Sequence, residues 1–249
     1  MPHFVKCPNL PSGKVALVAV GQEHAEEIRR ALLPFGIKTL SCPNNLLVDS
    51  RLRAHIDLSV FHLGENRFVL SETVSNSGFA EELRSFGAEI TVSSQKQSFD
   101  YPKDAFLCAL TNGDRVFHNN KFSDNNIKDH YGGRFLHVNQ GYAKCAVCLV
   151  SKTAAITSDK GLVAAMRREG IDVLQISAEG IGLFGFEVGF IGGAAFKIAP
   201  DTLAFTGTLQ NHPNKIDIEV FLKDHTVMPI YLTDKPIYDI GSVIPIMEH

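Results

Sequence analysis

The sequence predicts an α/β fold in which one unit, strand–strand–helix–strand, is repeated five times and closed into a five-bladed propeller. Three observations predict it. First, a phrase recurs: Phe35-Gly36-Ile37-Lys38-Thr39-Leu40, Phe86-Gly87-Ala88-Glu89-Ile90-Thr91, Tyr131-Gly132-Gly133-Arg134-Phe135-Leu136 and Glu169-Gly170-Ile171-Asp172-Val173-Leu174. Each copy ends a helical stretch on glycine, which enters the left-handed C-cap without a Cβ clash, and then opens a short strand. Second, the residues upstream of these phrases keep helical spacing, as in Ala25, Ile28 and Leu32, in Phe79, Leu83 and Phe86, and in Leu162, Val163 and Met166. Third, the later units begin with an apolar run, a turn-forming patch and another apolar run, the pattern of an antiparallel hairpin.

The hairpins fall at residues 58–62 and 68–70 around Gly64-Glu65-Asn66, at 105–110 and 116–118 around Asn112-Gly113-Asp114, and at 144–150 and 154–157 around Ser151-Lys152-Thr153. A fifth unit runs through residues 194–198, 203–206, a helix at 216–223 and a strand at 229–232. The first copy, residues 14–42, lacks an opening strand, while residues 238–246 form a strand with no unit of its own. The last strand is therefore expected to complete the first blade, which ties the termini together and removes exposed sheet edges. A doubly wound parallel sheet also alternates strands with helices, but its crossovers leave no place for a hairpin in every unit.

Composition suits one soluble domain spanning residues 1–249. The chain is 45% hydrophobic and 20% charged, enough to bury a large core. A net charge of −3, with no basic run, signals no nucleic-acid partner. No apolar stretch has membrane-spanning length and residues 1–14 hold no signal-peptide core, so neither a membrane nor export is expected and the cytoplasm is the default location. Five scattered cysteines fit reduced thiols better than a disulfide framework.

Aligning the hairpins on their turns sets Asp57 against Ala105, Lys144 and Gly192, and His55 against Lys103, Tyr142 and Phe190. Alternation along extended strands then sends His55, Asp57 and Ser59 toward the shared axis and Ile56, Leu58 and Val60 toward the helices. In the fourth unit the same rule gives Tyr142, Lys144, Ala146 and Cys148 to the axis and Ala143, Cys145, Val147 and Leu149 to the helices. A carboxylate, two basic groups and a phenol are thus expected to converge.

A closed ring of five such units resembles the guanidino-group-modifying enzymes, or penteins, over nearly the whole chain. The sharpest likeness is His55-Ile56-Asp57-Leu58-Ser59-Val60, which looks like the acidic strand of dimethylarginine dimethylaminohydrolase and agmatine deiminase. The resemblance implies that Asp57 grips a substrate guanidinium, a role suited to paired carboxylate–guanidinium hydrogen bonds. It also implies a histidine at the start of a blade strand and a nucleophilic cysteine on the final strand. This chain has Tyr142 at the first place, and Gly241 followed by Ser242 at the second. The usual covalent route therefore lacks both its nucleophile and its proton shuttle, and the chain is similar to an uncharacterised branch of the fold.

The expected site is a small-molecule site for an amidino, guanidino or amino-acid-like ligand. Asp57, Lys144, Gly192, Gly241 and Ser242 would bind it, and His55 or Tyr142 would move protons in a hydrolysis at a C–N bond with water as nucleophile. The missing side chain at Gly192 leaves room for a ligand or for backbone hydrogen bonds. The alternative is a non-catalytic scaffold, as in the ribosome anti-association initiation factor of this fold. No cofactor is signalled, and the sequence leaves the oligomeric state open. Metal binding by His55 and Asp57 needs a third ligand, for which only the distant His137 and His212 are in view, so no metal site is expected. Ser242 with Lys144 as base would make a serine hydrolase, yet nothing in the sequence brings the two within reach. Cys148 reads as a packed thiol, and Cys145 with Cys148 point to opposite faces of a strand. The glycine-rich residues 180–193 lead into a strand, unlike a phosphate loop, and read as a mobile loop with close backbone approach. Gln140 either lines the mouth of the axis or turns the chain into its strand, and Asp159 reads as a helix N-cap.

Overall fold

The repeated unit is present five times in the computed structural model, which describes residues 1–249. In the second unit Val60–Gly64 and Arg67–Leu70 pair antiparallel, the helix Gly78–Ser85 returns the chain, and Glu89–Val92 pairs parallel with Arg67–Leu70. The third repeats this wiring with Leu110–Thr111, Val116–His118, the helix Asn125–Tyr131 and Phe135–His137. The fourth has Val147–Ser151, Ala154–Thr157, the helix Lys160–Arg168 and Asp172–Gln175. The fifth has Ala195–Ala199, Thr202–Phe205, the helix Lys215–Asp224 and Met228–Tyr231.

The first unit, Val15–Gly21, helix Ala25–Leu32 and Lys38–Cys42, takes its missing strand from the far end of the chain. Val243–Glu248 pairs antiparallel with Val15–Gly21, and the short strand His3–Phe4 pairs on its other side. Glu248 then fastens the amino-terminal loop, because its carboxylate accepts from the Ser12 and Gly13 amides at 2.5 and 2.7 Å.

Glycine ends three helical stretches as the recurrent phrase requires, with φ of 72° at Gly36, 97° at Gly87 and 76° at Gly170, while Gly132, at φ 51° and ψ −126°, lies outside the left-handed region and leads into a 3-10 turn, Gly132–Arg134, before its strand. The fifth unit makes the same turn on Thr226 at φ 57°, which explains why the phrase appears only four times. The N-cap expected at Asp159 is made, its Oδ1 accepting from the Leu162 amide at 2.8 Å.

Three expected strands begin late. The structure starts them at Val60, Leu110 and Val147 rather than at 58, 105 and 144, because a helical turn precedes two of them: a 3-10 turn at Ile56–Leu58 and an α-turn at Ala143–Ala146. Another 3-10 turn, Ile191–Gly193, opens the fifth unit. These entry segments are buried on all sides, so an unbroken apolar run carries no alternation that separates strand from turn.

The apolar core is divided among the gaps between units. Phe68, Leu83 and Ile244 pack between the first and second, Phe61, Val116 and Ile127 between the second and third, and Leu110, Ala146 and Leu162 between the third and fourth. Cys148, Ile156 and Phe205 fill the gap between the fourth and fifth, and Val18, Ile28, Phe196 and Val243 the gap between the fifth and first. No helix is long and apolar enough to cross a membrane.

The last strand should accordingly matter as much as any interior one. Ile246 is fully buried against the first and second units, and Ile246→Ala is expected to cost about 2–5 kcal/mol. The check is urea unfolding, with a lowered midpoint and an unchanged slope.

Candidate functional site

All five units send a residue to one buried cluster. Asp57 comes from the 3-10 turn of the second, Cys108 from the third, Lys144 and Cys145 from the α-turn of the fourth, and Gly192 from the 3-10 turn of the fifth. Ser242 comes from the residues just before the last strand. Gly241 and Ser242 are both left-handed, at φ 72° and 75°, and this double turn swings the serine hydroxyl inward. Only the glycine can adopt that conformation freely, and it has a second reason to be glycine: a Cβ there would collide with the His55 ring.

Asp57 is the hub. Its Oδ2 accepts from Ser242 Oγ at 2.6 Å and from Cys145 Sγ at 2.7 Å, while its Oδ1, also buried, has no partner. Lys144 Nζ donates to Ser242 Oγ at 3.1 Å and to the Gly192 carbonyl at 3.3 Å. Burial pushes the Asp57 carboxyl above its ordinary range, opposed by the charges of His55 and Lys144 and by the two hydrogen bonds it accepts. Burial also holds the His55 imidazole below its ordinary value, which favours the neutral ring. The Cys145 thiol is raised well above the usual thiol range, first by its contact with Cys108, whose sulfur lies 4.0 Å away, then by burial and by Asp57.

Above this cluster opens a cavity of about 240 Å³. Leu52, Leu58, Leu183, Phe186, Val188 and Phe190 make its apolar wall, and His55, Tyr142, Cys145 and Asp239 its polar part. Asp239 organises the wall: one carboxylate oxygen accepts from the Phe190 amide and the other from the Gly241 amide, both at 2.9 Å. Burial nevertheless pushes its pKa up to about 6, against those two bonds and the Lys144 charge. Tyr142 turns its hydroxyl away to donate to Asp104 Oδ2 at 2.5 Å, and burial together with that carboxylate raises the phenol.

The segments expected at the site do meet in space, but several side chains face otherwise than expected. Asp57, Lys144, Gly192, Gly241, Ser242 and His55 do cluster, with Tyr142 on the cavity wall. Because residues 143–146 form a helical turn and not an extended strand, Cys145, expected among the helix-facing residues, points at Asp57. Cys148, expected on the axis side, packs among Ile156 and Phe205 between two units, as a buried thiol. Lys144 and Ser242, which no sequence feature joined, are within hydrogen-bonding distance. The Gly192 position offers no space, since a Cβ there would collide with the Val147 and Lys144 carbonyls; its own carbonyl is what the cluster uses. Asp57 lies beneath the cavity, screened from it by Cys145, and does not line it. His137 and His212, once in view as a third metal ligand, are engaged elsewhere, accepting from the Asn120 and Asn214 amides. Gln140 accepts from the Tyr142 amide and donates to Asp159, the turn-entry role.

Asp239, Asp104, Cys108 and Cys145 were not among the expected site residues. For Asp239 a signal existed, an acidic residue two before Gly241 in an otherwise apolar stretch; for Cys108 and Cys145 there was none beyond residue type.

The sequence matches, over residues 19–244, a family described as being of unknown function (DUF6873). The chain belongs to that family. No curated protein matches it. Several solved structures share the fold. SxtG, an amidinotransferase from Microseira wollei in the saxitoxin biosynthetic pathway, aligns with a TM-score of 0.60 and 12% identity over 91% of this chain and 90% of that one. The inosamine-phosphate amidinotransferase of Streptomyces griseus gives 0.61 and 9%, over 98% and 97%. DDAH from Pseudomonas aeruginosa, solved as a cysteine-to-serine mutant complexed with citrulline, gives 0.55 and 6%, over 88% and 93%. The fold is thus pentein-like and amidinotransferase-like, at identities that speak for architecture alone.

The raised Asp239 pKa sets a pH dependence. A buried carboxyl that holds its proton more tightly when folded stabilises the fold fully below its ordinary pKa of 3.8, and that contribution is lost as pH rises through about 6. Wild type should lose roughly 3 kcal/mol across this window relative to Asp239→Asn. Urea unfolding of both proteins at several values between pH 4 and 7 checks this; parallel profiles would contradict the raised pKa.

Proposed function

We propose that the cavity binds a small amidino- or guanidino-bearing ligand, or an amino-acid-like one, and that the chain is a pentein whose five sheets form one closed ring over residues 1–249. The ring reading is supported by the five apolar clusters, one in each gap including that between the fifth and first units, and by the shared sheet of the two chain ends.

The observation that carries the ligand reading is the pairing of this cavity with two buried carboxylates, Asp57 under its floor and Asp239 in its wall, both proton-hungry through burial. A cation in the cavity that displaces the Asp239 proton gains the interaction that water no longer supplies, and Asp57 adds its charge from behind Cys145. The walls suit a planar cation, since Phe186 already carries the Arg51 guanidinium 4.3 Å from its ring centroid and Phe190 adds a second aromatic ring to the lining. A volume of about 240 Å³ is below the roughly 300 Å³ at which drug-sized pockets begin, which selects a ligand of amino-acid size. The folds of an amidinotransferase and of a DDAH complexed with citrulline support the same class.

For turnover we propose hydrolysis at a C–N bond. Water adds to the amidino carbon while neutral His55 accepts its proton; the C–N bond then breaks and the departing amine takes that proton, leaving a carbonyl. Tyr142, whose proton is committed to Asp104, holds the wall in this scheme. A second reading, a scaffold without turnover, is favoured by one observation: the chain Lys144–Ser242–Asp57–Cys145 links three units through protein hydrogen bonds alone.

Thermal-shift titration separates the two. Arginine, agmatine, methylarginines, citrulline and simple amino acids are added to wild type and to Asp57→Asn. A ligand that binds only the folded state stabilises it by about 2.7 kcal/mol at a hundredfold excess over its dissociation constant. A shift with a guanidino compound in wild type, weakened at least tenfold in affinity in the variant, supports the site and names the compound to assay for ammonia or amine release. No shift with any of them would leave the scaffold.

A further inference from the structure

His55, Asp57 and Cys145 each direct one donor atom into the same small volume: an imidazole nitrogen, a carboxylate oxygen and a sulfur, all within 4.8 Å of one another and all buried. We propose that these three side chains bind a divalent transition-metal ion, zinc foremost, with its fourth position open to the cavity above.

Donor chemistry, geometry and access agree. A mixed nitrogen, oxygen and sulfur set suits a borderline-soft ion such as zinc, while calcium and magnesium require oxygen. With zinc bonds of about 2.0–2.3 Å, the ligand atoms of a tetrahedral site stand roughly 3.3–3.8 Å apart, so the separations here, from 2.7 Å between Cys145 Sγ and Asp57 Oδ2 up to at most 4.8 Å, must adjust by about 1 Å, the closest pair outward and the widest inward. Side-chain rotation supplies that. The unpartnered, fully buried Oδ1 of Asp57 is an acceptor that the protein leaves unsatisfied, and a cation is one partner that satisfies it. His55 and Cys145 both line the cavity, which gives the ion an entry path and an exchangeable position.

The surroundings are those of a supported site. Ser242 donates to Asp57 Oδ2, Lys144 donates to Ser242, and the backbone of Gly241 packs against the His55 ring, holding its orientation. Coordination requires the thiolate, so binding releases a proton and strengthens with rising pH. The metal site does not rest on the guanidino reading. If both hold, His55 is a ligand and no longer the general base, and the ion would itself supply the water of lowered pKa that hydrolysis needs.

The test uses the metal alone. Full-length protein, kept reduced and stripped with chelator, is titrated with cobalt(II) chloride. A thiolate-to-cobalt charge-transfer band saturating at one equivalent, and abolished by added zinc, is the expected result. Cys145→Ser should lose the band, and His55→Ala should weaken binding by more than about 100-fold, the upper end for loss of an outer-shell partner. Cys148→Ser should keep it, and circular dichroism of each variant reports folding. No band in wild type, or a band that survives in folded Cys145→Ser, overturns the proposal. The same guanidino titration on metal-free protein reads the ligand site separately.

Discussion

One buried carboxylate holds the centre of this molecule. Asp57 is almost wholly removed from water, and taking an anion there costs several kcal/mol unless hydrogen bonds and opposite charge replace its hydration. The replacements come from residues 88 and 185 positions away along the chain, Cys145 and Ser242, with Lys144 behind the serine. The fold must therefore bring the entry turns of the second and fourth units and the start of the last strand to one place before Asp57 is tolerable. The double left-handed turn at Gly241 and Ser242, and the glycine-only approach of residue 192 to the Val147 carbonyl, are consequences of that demand.

A second shell of constraint surrounds the cavity. Asp239 is bound to two backbone amides, one on the loop that carries Phe190 and one at Gly241, so a single side chain sets the distance between the apolar wall and the polar floor. The glycine-rich segment 180–193 owes its composition to the same crowding: Gly189 and Gly193 lie where a Cβ would strike the Asp239 side chain. These glycines serve backbone approach, and the segment opens a strand through a 3-10 turn instead of cradling a phosphate.

The solved structures that share this fold are 6–12% identical to it, so the architecture persists while the chemistry of its centre is free to change. In this chain the centre combines a thiol, an imidazole and a carboxylate within a few ångströms. That combination does not depend on a cysteine at the last strand, just before which the chain carries Gly241 and Ser242.

What is local could be read from the order of residues. The glycine-ended helices, the hairpins and the number of units were readable because each depends on residues a few positions apart: a left-handed C-cap, a 3.6-residue stripe, a turn between two apolar runs. The destination of the last strand followed from counting, since one unit lacked a strand and one strand lacked a unit. The facing of the central side chains is set by packing between units. Residues 56–58, 143–146 and 191–193 are surrounded by protein on every side, and such a run has no polar face from which to read a period, so a helical turn there looks the same as a strand. That one difference turned Cys145 onto Asp57, sent Cys148 into the packing between units, and placed Lys144 against Ser242. These contacts span 88 to 185 residues of chain, and no local pattern encodes them.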